Sequence, residues 1–473
     1  TAKVNVTVGT GAILNTNSGS GFDINLGGGT ITINGTLDFS NTNSSVNATG
    51  TSSLTMGADG LIRTLDPTGL GPVANASLVQ SSGTFTTSSI DVSGTVEYYA
   101  AGAQTVTDRN YNNLIFSGAG TNTWTFGANR TVNGNLTMEG TSPLTLAGGD
   151  AILLLGDWID NSTGAFTQGS TLISFNGTAE QTLGGSQPST FINVTINNSS
   201  ATGLVLNQEM TITGIMTLTD GIVYSGFPNI VIINDGATTP GASDVSFVQG
   251  AINKVGNDAY TFPVGEQSAG YHPISISAPG SVTDVFGCSY NRASAWAQGG
   301  ITAPGLLGVS GCEYWYLSRN AGGSTPDVTL SWNTNSGCGG TYINNLPGLQ
   351  VAIFDGGSWS TYGRTSTTGD ATAGTITWDA VSTWPGSQSY FAFGNTAANA
   401  NPLPVKFSDI KAYEKQSGVQ IDWTAYQEVD MDHYQVERSA DGIHFAPIGS
   451  VASRNSLNET KYGYFDASPL PGV

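Results

Sequence analysis

Between Val96 and Gly221 the chain repeats itself. The stretch from Val96 to Gly140 matches the stretch from Ile173 to Gly221 phrase by phrase. Gln104-Thr-Val aligns with Gln181-Thr-Leu, Tyr111-Asn-Asn-Leu-Ile with Phe191-Ile-Asn-Val-Thr, and Thr131-Val-Asn-Gly-Asn-Leu-Thr-Met with Thr211-Ile-Thr-Gly-Ile-Met-Thr-Leu. The offset drifts from 77 to 81 residues, which puts small insertions in loops between matched strands. A repeat of about 80 residues is four coils of roughly 20, the size range of solenoid units. Such units cannot bury an apolar face alone and must stack on their neighbours.

Shorter phrases in the first 245 residues say the same. Ile31-Thr-Ile-Asn-Gly35, Leu54-Thr-Met-Gly57 and Val132-Asn-Gly-Asn-Leu-Thr-Met138 each alternate like a strand and stop or turn at Gly or Asn. Gly and Asn tolerate the positive φ that a corner needs. Residues 1–245 are therefore expected to form a parallel β-solenoid, with roughly a dozen coils stacked about 4.8 Å apart. The competing architecture is a series of β-sandwiches, whose strands also recur at short intervals. No stretch holds a 3.6-residue apolar period over a dozen positions, so the whole chain reads as all-β.

Charged residues make up 10% of the sequence, against about 25% in ordinary globular proteins. The formal net charge of −20 disfavours nucleic acid and anionic lipid as partners, because both need a basic footprint. No apolar run is long enough to span a membrane as a helix. Thr1 opens directly into the alternation Val4, Val6, Val8, so a secretory leader, if there was one, is expected to have been removed. Cys288, Cys312 and Cys338 are too few for a disulfide framework and fit no zinc spacing. In an oxidising compartment one pair can bridge, with Cys312–Cys338 the first candidate and Cys288 left buried and free. The redox state of the three stays open.

Residues 246–396 are richer in aromatics: Trp296, Trp315, Trp332, Trp359, Trp378 and Trp384 stand with Tyr314, Tyr316, Tyr390, Phe391 and Phe393. Most lie inside alternating patterns, which predicts rings filling the core of a β-sandwich. The alternative is a sugar-stacking platform with several rings exposed on one face. Asn395-Thr-Ala-Ala-Asn-Ala-Asn401 then reads as a linker.

From 402 to 473, Val419, Ile421 and Trp423 alternate with Gln420 and Asp422, and Tyr434 and Val436 with Gln435 and Glu437. Asp441-Gly442 marks a tight turn before Ile443 and Phe445. Together with Pro402-Leu-Pro-Val-Lys-Phe, this wording resembles the fibronectin-III-like module of secreted Bacteroidota surface proteins. Tyr260-Thr-Phe-Pro-Val-Gly265, Tyr271-His-Pro-Ile-Ser-Ile and Tyr314-Trp-Tyr-Leu resemble segments of the same proteins. The resemblance implies export by the type IX machinery and a place at the outer surface of a Gram-negative cell. A module of this kind usually needs about 90–100 residues, so the one at 402–473 is expected to be incomplete. Either the longer chain continues, or a strand from a neighbouring copy, such as residues 2–8, fills the gap.

Catalytic patterns are sparse. Parallel β-helices host polysaccharide lyases and hydrolases, which need clustered carboxylates and a basic residue. Residues 1–245 hold only Lys3, Arg63, Arg109 and Arg130 as basic groups and no His. Asp157 and Asp160 are the closest notable acidic pair. They are expected to be turn residues, since calcium takes six to eight oxygens and no further cluster is visible. His272, His433 and His444 form no recognisable triad with a nucleophile. Gly27-Gly-Gly29 lacks the Lys and helix of a phosphate loop and reads as a corner. Asn-x-Ser/Thr phrases at Asn5, Asn34, Asn135 and Asn176 arise from composition. Thr30-Ile-Thr and Thr123-Trp-Thr suggest a flat ice-binding face, but such a face needs a Thr in every coil and the ladder read from sequence is broken.

These observations predict an all-β, secreted structural or adhesive protein without catalysis, cofactor or metal, and no residue is assigned to a catalytic, cofactor or metal site. It is expected to associate with itself, with other surface or extracellular matrix components, or with glycans. The alternative function is a carbohydrate-binding or carbohydrate-active protein using the Trp-rich region or a solenoid face.

Overall fold

A computed structural model describes residues 2–16, 23–48, 50–71, 77–80, 92–302, 304–336, 343–378, 384, 386, 388–396, 406–426, 428, 432–440, 442–454, 456 and 459–470. The protein is all-β, and helix among these residues is confined to short 3-10 turns such as Ala295–Ala297 and Leu346–Gly348. The chain divides into two compact units, Thr1–Gly256 and Asn257–Val473.

The first unit is a parallel β-solenoid of about ten turns, somewhat fewer than the dozen expected. Among the described residues the coils contribute short strands to three faces. The second face is an eleven-stranded parallel sheet running from Ile13–Asn15 to Val248–Gln249. On its inner side Leu37, Ile62, Val96, Leu114, Leu136, Trp158 and Leu183 stand in register, one per coil. All seven are fully buried. The stack therefore makes the core: each such side chain contributes about 1.5–3 kcal/mol on burial, and a single coil would leave it in water.

On the first face Val6–Val8, Thr30–Ile33 and Ser53–Met56 pair in one sheet, and Arg130–Val132, Ala151–Leu154 and Leu172–Phe175 pair in another. On the third face Gln104–Val106, Asn122–Trp124, Leu144–Leu146 and Phe166–Thr167 form a four-stranded sheet. Further along, Ser189–Asn197 and Met210–Asp220 each run through a corner without ending, with a register shift between Phe191 and Asn193. Corners close where a side chain would not fit. At Gly221 φ is +89° and an added Cβ would meet the Asn198 carbonyl oxygen at 2.2 Å. Gly27 and Gly28 also take positive φ, +58° and +85°, and lie between coils as corner residues.

The internal repeat has a consequence in three dimensions. Four steps along the second face lead from Thr95–Tyr98 to Gln181–Gly185, but the segment equivalent to Thr95–Tyr98 is Leu172–Phe175, on the first face. The repeat is therefore one face short of four turns, where the sequence suggested four whole coils.

The second unit is built of antiparallel sheets. Val285–Asn291, Tyr314–Ala321, Gln388–Asn395 and Leu349–Phe354 pair in that order. A five-stranded sheet holds Tyr260–Phe262, Ile274–Ile276, Val328–Trp332, Gly374–Trp378 and Ser366–Gly369. Asn395, expected to open a linker, is a buried strand residue, and residues 397–405 lie outside those described. Near the C-terminal end Lys406–Lys415, Gly418–Tyr426 and Thr460–Asp466 form one sheet, and His433–Ser439 pairs with Phe445–Ala452. Their shared core is Trp423, Ala425, Tyr434 and Tyr462. Gly442 has φ +73°, as the turn there requires, while Asp441 lies outside the described residues.

Candidate functional site

Polar side chains at the solenoid corners are spent on joining coils. Asn113 Oδ1 accepts the Asn135 N–H at 2.9 Å, Asn135 Oδ1 accepts the Asp157 N–H at 2.9 Å, and Asp157 Oδ1 accepts the Thr182 N–H at 2.7 Å. The first two steps are 22 residues each, one coil. Asn5, Asn110, Asn129 and Asn193 act in the same way on Thr30, Thr131, Ala151 and Ile215. Asp157 is thus a ladder rung in which a carboxylate does the work of a carboxamide. Asp160 is buried and caps a local turn, its Oδ1 accepting from the Ser162 N–H at 3.0 Å; burial pushes its carboxyl above the usual range. The two acids are structural residues of adjacent turns, and among the described residues no group of three or more His, Cys, Asp and Glu converges to hold a metal ion.

The outward side chains carry the chemistry that a partner would meet. On the four-stranded third-face sheet, Thr105, Thr123, Thr145 and Thr167 fall in one register, one per coil and without interruption. Thr7, Thr32 and Thr55 form a second column on the first face. There the Thr55 hydroxyl donates to Thr32 Oγ1 at 3.1 Å, and Thr30 and Ser53 share a 2.8 Å bond. The ladder is more continuous than it looked from sequence, because the step from Thr105 to Thr123 is 18 residues and the next two are 22.

A charged constellation lies on the second face, where Asp38, Arg63 and Glu97 stand in register on three successive coils. Arg63 Nε donates to Glu97 Oε2 at 2.6 Å, and its Nη1 lies 3.6 Å from Asp38 Oδ2. Tyr99 reaches back to donate to Asp38 Oδ1 at 2.7 Å, and the Arg63 guanidinium sits 4.3 Å above its ring. The hydrogen bond to Glu97 raises the Arg63 value further, and burial pushes the Tyr99 phenol up. The cluster satisfies itself. Of the other basic residues, Lys3 is exposed, Arg130 pairs with Asp108, and Arg109 lines a cavity of about 300 Å³ with Ser93, Tyr111 and Asn133.

In the second unit the tryptophans are interior. Trp315, Trp359 and Trp378 are fully buried, Trp332 and Trp384 nearly so, and Trp296 is half-buried with its Nε1 donating to the Val309 carbonyl. The expectation of core rings therefore holds for the described residues. Cys312 is disulfide-bonded and Cys288 is a buried free thiol, as the first-candidate pairing requires; Cys338 lies outside the described residues. Of the histidines, His433 pairs with Asp432 at the surface, His444 is exposed, and His272 is buried. Sequence reasoning missed that His272 meets Glu313, 41 residues away on another element. No helix among the described residues is long and apolar enough to cross a membrane.

Comparison with protein-family models, curated proteins and solved structures returns no match to this chain.

Proposed function

We propose that the chain is an extracellular structural or adhesive protein of the outer surface of a Gram-negative bacterium of the Bacteroidota type, exported by the type IX route. Its solenoid serves as a rod-like spacer or filament element. Residues 246–396 are read as a β-sandwich and 402–473 as a fibronectin-III-like module.

The observation that carries this reading is the use made of polar groups in the solenoid. Corner carboxamides and Asp157 are consumed between coils, and the Arg63 cluster is closed on itself. On the first and third faces columns of Thr hydroxyls stand outward on a stack of repeating strands, a surface suited to extended contact. The burial of the Trp rings supports the structural reading over a glycan platform in the second unit.

Electron microscopy of the purified full chain over a range of concentrations, paired with a polysaccharide-turnover assay, tests the proposal. Filaments or end-to-end contacts are the expected result. Dispersed monomers at high concentration together with clear polysaccharide turnover would sink it.

A further inference from the structure

Two titratable side chains of the second unit, His272 and Glu313, are fully buried and face each other, with His272 Nδ1 3.5 Å from Glu313 Oε2. The other imidazole nitrogen, Nε2, lies 3.1 Å from the Ala269 carbonyl oxygen. A carbonyl only accepts, so Nε2 carries a hydrogen. Tyr290 donates its hydroxyl to Glu313 Oε2 at 2.9 Å and stacks its ring on the imidazole, with centroids 4.6 Å apart and planes 9° from parallel. Trp315 Nε1 donates to the His272 carbonyl at 2.8 Å. The arrangement ties together the hairpin at 265–271, the strand Val285–Asn291 and the strand Tyr314–Ala321.

With Nε2 protonated and Nδ1 carrying no proton, a lone pair would face an ionised carboxylate in the buried interior. Buried charge of that kind is strongly disfavoured unless a proton neutralises it. We propose that His272 and Glu313 form a proton latch: the second unit folds with one proton held between them, and the latch opens in alkaline solution. Imidazolium facing carboxylate and imidazole facing carboxylic acid hold the same number of protons, so the pair titrates as one body.

The surrounding elements carry Glu266, Tyr271, Cys288, Arg292 and Tyr314 as further titratable groups. Arg292 donates its backbone N–H to Glu266 Oε2 and its guanidinium to the Ser268 carbonyl, at the surface. Burial raises Tyr271, Tyr314 and Cys288 above their ordinary values, so these stay neutral through mildly alkaline pH. The sign of the effect follows from proton counts. Above roughly pH 6.5 an unfolded chain has neutral His and ionised Glu and holds no proton at this pair, while the native pair holds one. The unfolding equilibrium constant should then rise about tenfold per pH unit on the alkaline side. Between roughly pH 4.3 and 6.5 both states hold one proton and the pair contributes no slope.

The test is denaturant unfolding of the full chain as a function of pH, in the wild type and in Glu313→Gln, whose amide N–H replaces the shared proton. The wild type is expected to show the tenfold-per-unit slope above neutrality and Glu313→Gln to lack it; equal slopes in the two would overturn the proposal. A second measurement needs no variant. In the 15N-histidine-labelled chain the His272 ring signals should stay constant from about pH 5 to 9, and a titration of His272 near the ordinary value of about 6.5 would overturn it.

Discussion

Gln104 and Gln181 make the same three hydrogen bonds at two different corners of the solenoid. Gln104 Oε1 accepts the N–H of Ala100, four residues back, and its Nε2 donates to the carbonyls of Thr64 and Asp66 in the preceding coil. Gln181 Oε1 accepts the N–H of Gly177, and its Nε2 donates to Leu154 and Gly156. Both side chains are buried. The first corner leads from the second face to the third, the second from the first face to the second. The three corners of a coil are close enough in geometry that one sequence unit fits more than one of them, which lets the repeat fall short of whole turns.

Removing Gln181 leaves the Gly177 N–H without its acceptor and the Gly156 carbonyl without its donor, while the Leu154 carbonyl keeps the Asn176 N–H. Removing Gln104 leaves the Ala100 N–H without its acceptor, while the Thr64 and Asp66 carbonyls keep the N–H groups of Tyr99 and Gly69. Gln181→Leu is expected to destabilise the solenoid by on the order of 3 kcal/mol, since each orphaned buried group costs about 1–3 kcal/mol before relaxation. Gln181→Glu should be no better, because it points an acceptor at the Leu154 and Gly156 carbonyls. Denaturant midpoints of the two variants check this; a Gln181→Leu midpoint equal to wild type would contradict it.

The ladder through Asn113, Asn135 and Asp157 makes a different forecast for the acidic pair that most resembled a site. Only one oxygen of Asp157 is used, and a carboxamide offers the same acceptor. Asp157→Asn should leave stability within about 0.5 kcal/mol of wild type, the range of benign substitutions. Asp157→Ala should lose roughly 1 kcal/mol with the hydrogen bond to Thr182. Thermal unfolding separates these outcomes, and a large effect of the Asn variant would point to a role for the charge.

The solenoid was legible because its signals are local: apolar alternation, corner Gly and Asn, and a repeat visible along the chain. The 22-residue step from Asn113 to Asn135 to Asp157 was equally readable, yet its meaning depends on which N–H lies one coil above. The Thr column was harder, since loop length varies between Thr105 and Thr123 and disturbs the period without disturbing the register. The expected coil number is high because many coils are longer than about 20 residues: the step from Ile13 to Thr36 is 23 residues and that from Leu61 to Thr95 is 34. His272 and Glu313 were out of reach. Neither flanking sequence announces a partner, and the two meet through the packing of strands from different sheets.

The charge column on the second face should behave as one network. Arg63 lies between Asp38 and Glu97 on successive coils, so Arg63→Met leaves one buried and one half-buried carboxylate without their shared cation. A loss of about 1–2 kcal/mol is expected, between the values for exposed and buried pairs, and smaller at high ionic strength. In a double-mutant cycle with Glu97→Gln, the coupling should be about 1 kcal/mol. Additive single effects would show that the column is decorative.

The C-terminal strands should be sensitive to acid through Glu428. Its carboxylate accepts the hydroxyls of Tyr434 and Tyr462, the latter at 2.6 Å, and the Ser456 N–H at 3.3 Å. Burial alone would raise its value, but these hydrogen bonds more than offset that and hold it below the usual carboxylate range. A carboxyl depressed by folding contributes stability that is fully present above its unfolded value, about 4.3, and is lost as pH falls through the folded one. Once corrected for the intrinsic slowing of amide exchange in acid, hydrogen exchange across Gly418–Tyr426 and Thr460–Asp466 should therefore accelerate as the solution is acidified below that range. Glu428→Gln should exchange faster than wild type at neutral pH and show a weaker acid dependence. If the variant and wild type accelerate in parallel, the acid sensitivity of these strands comes from other carboxylates.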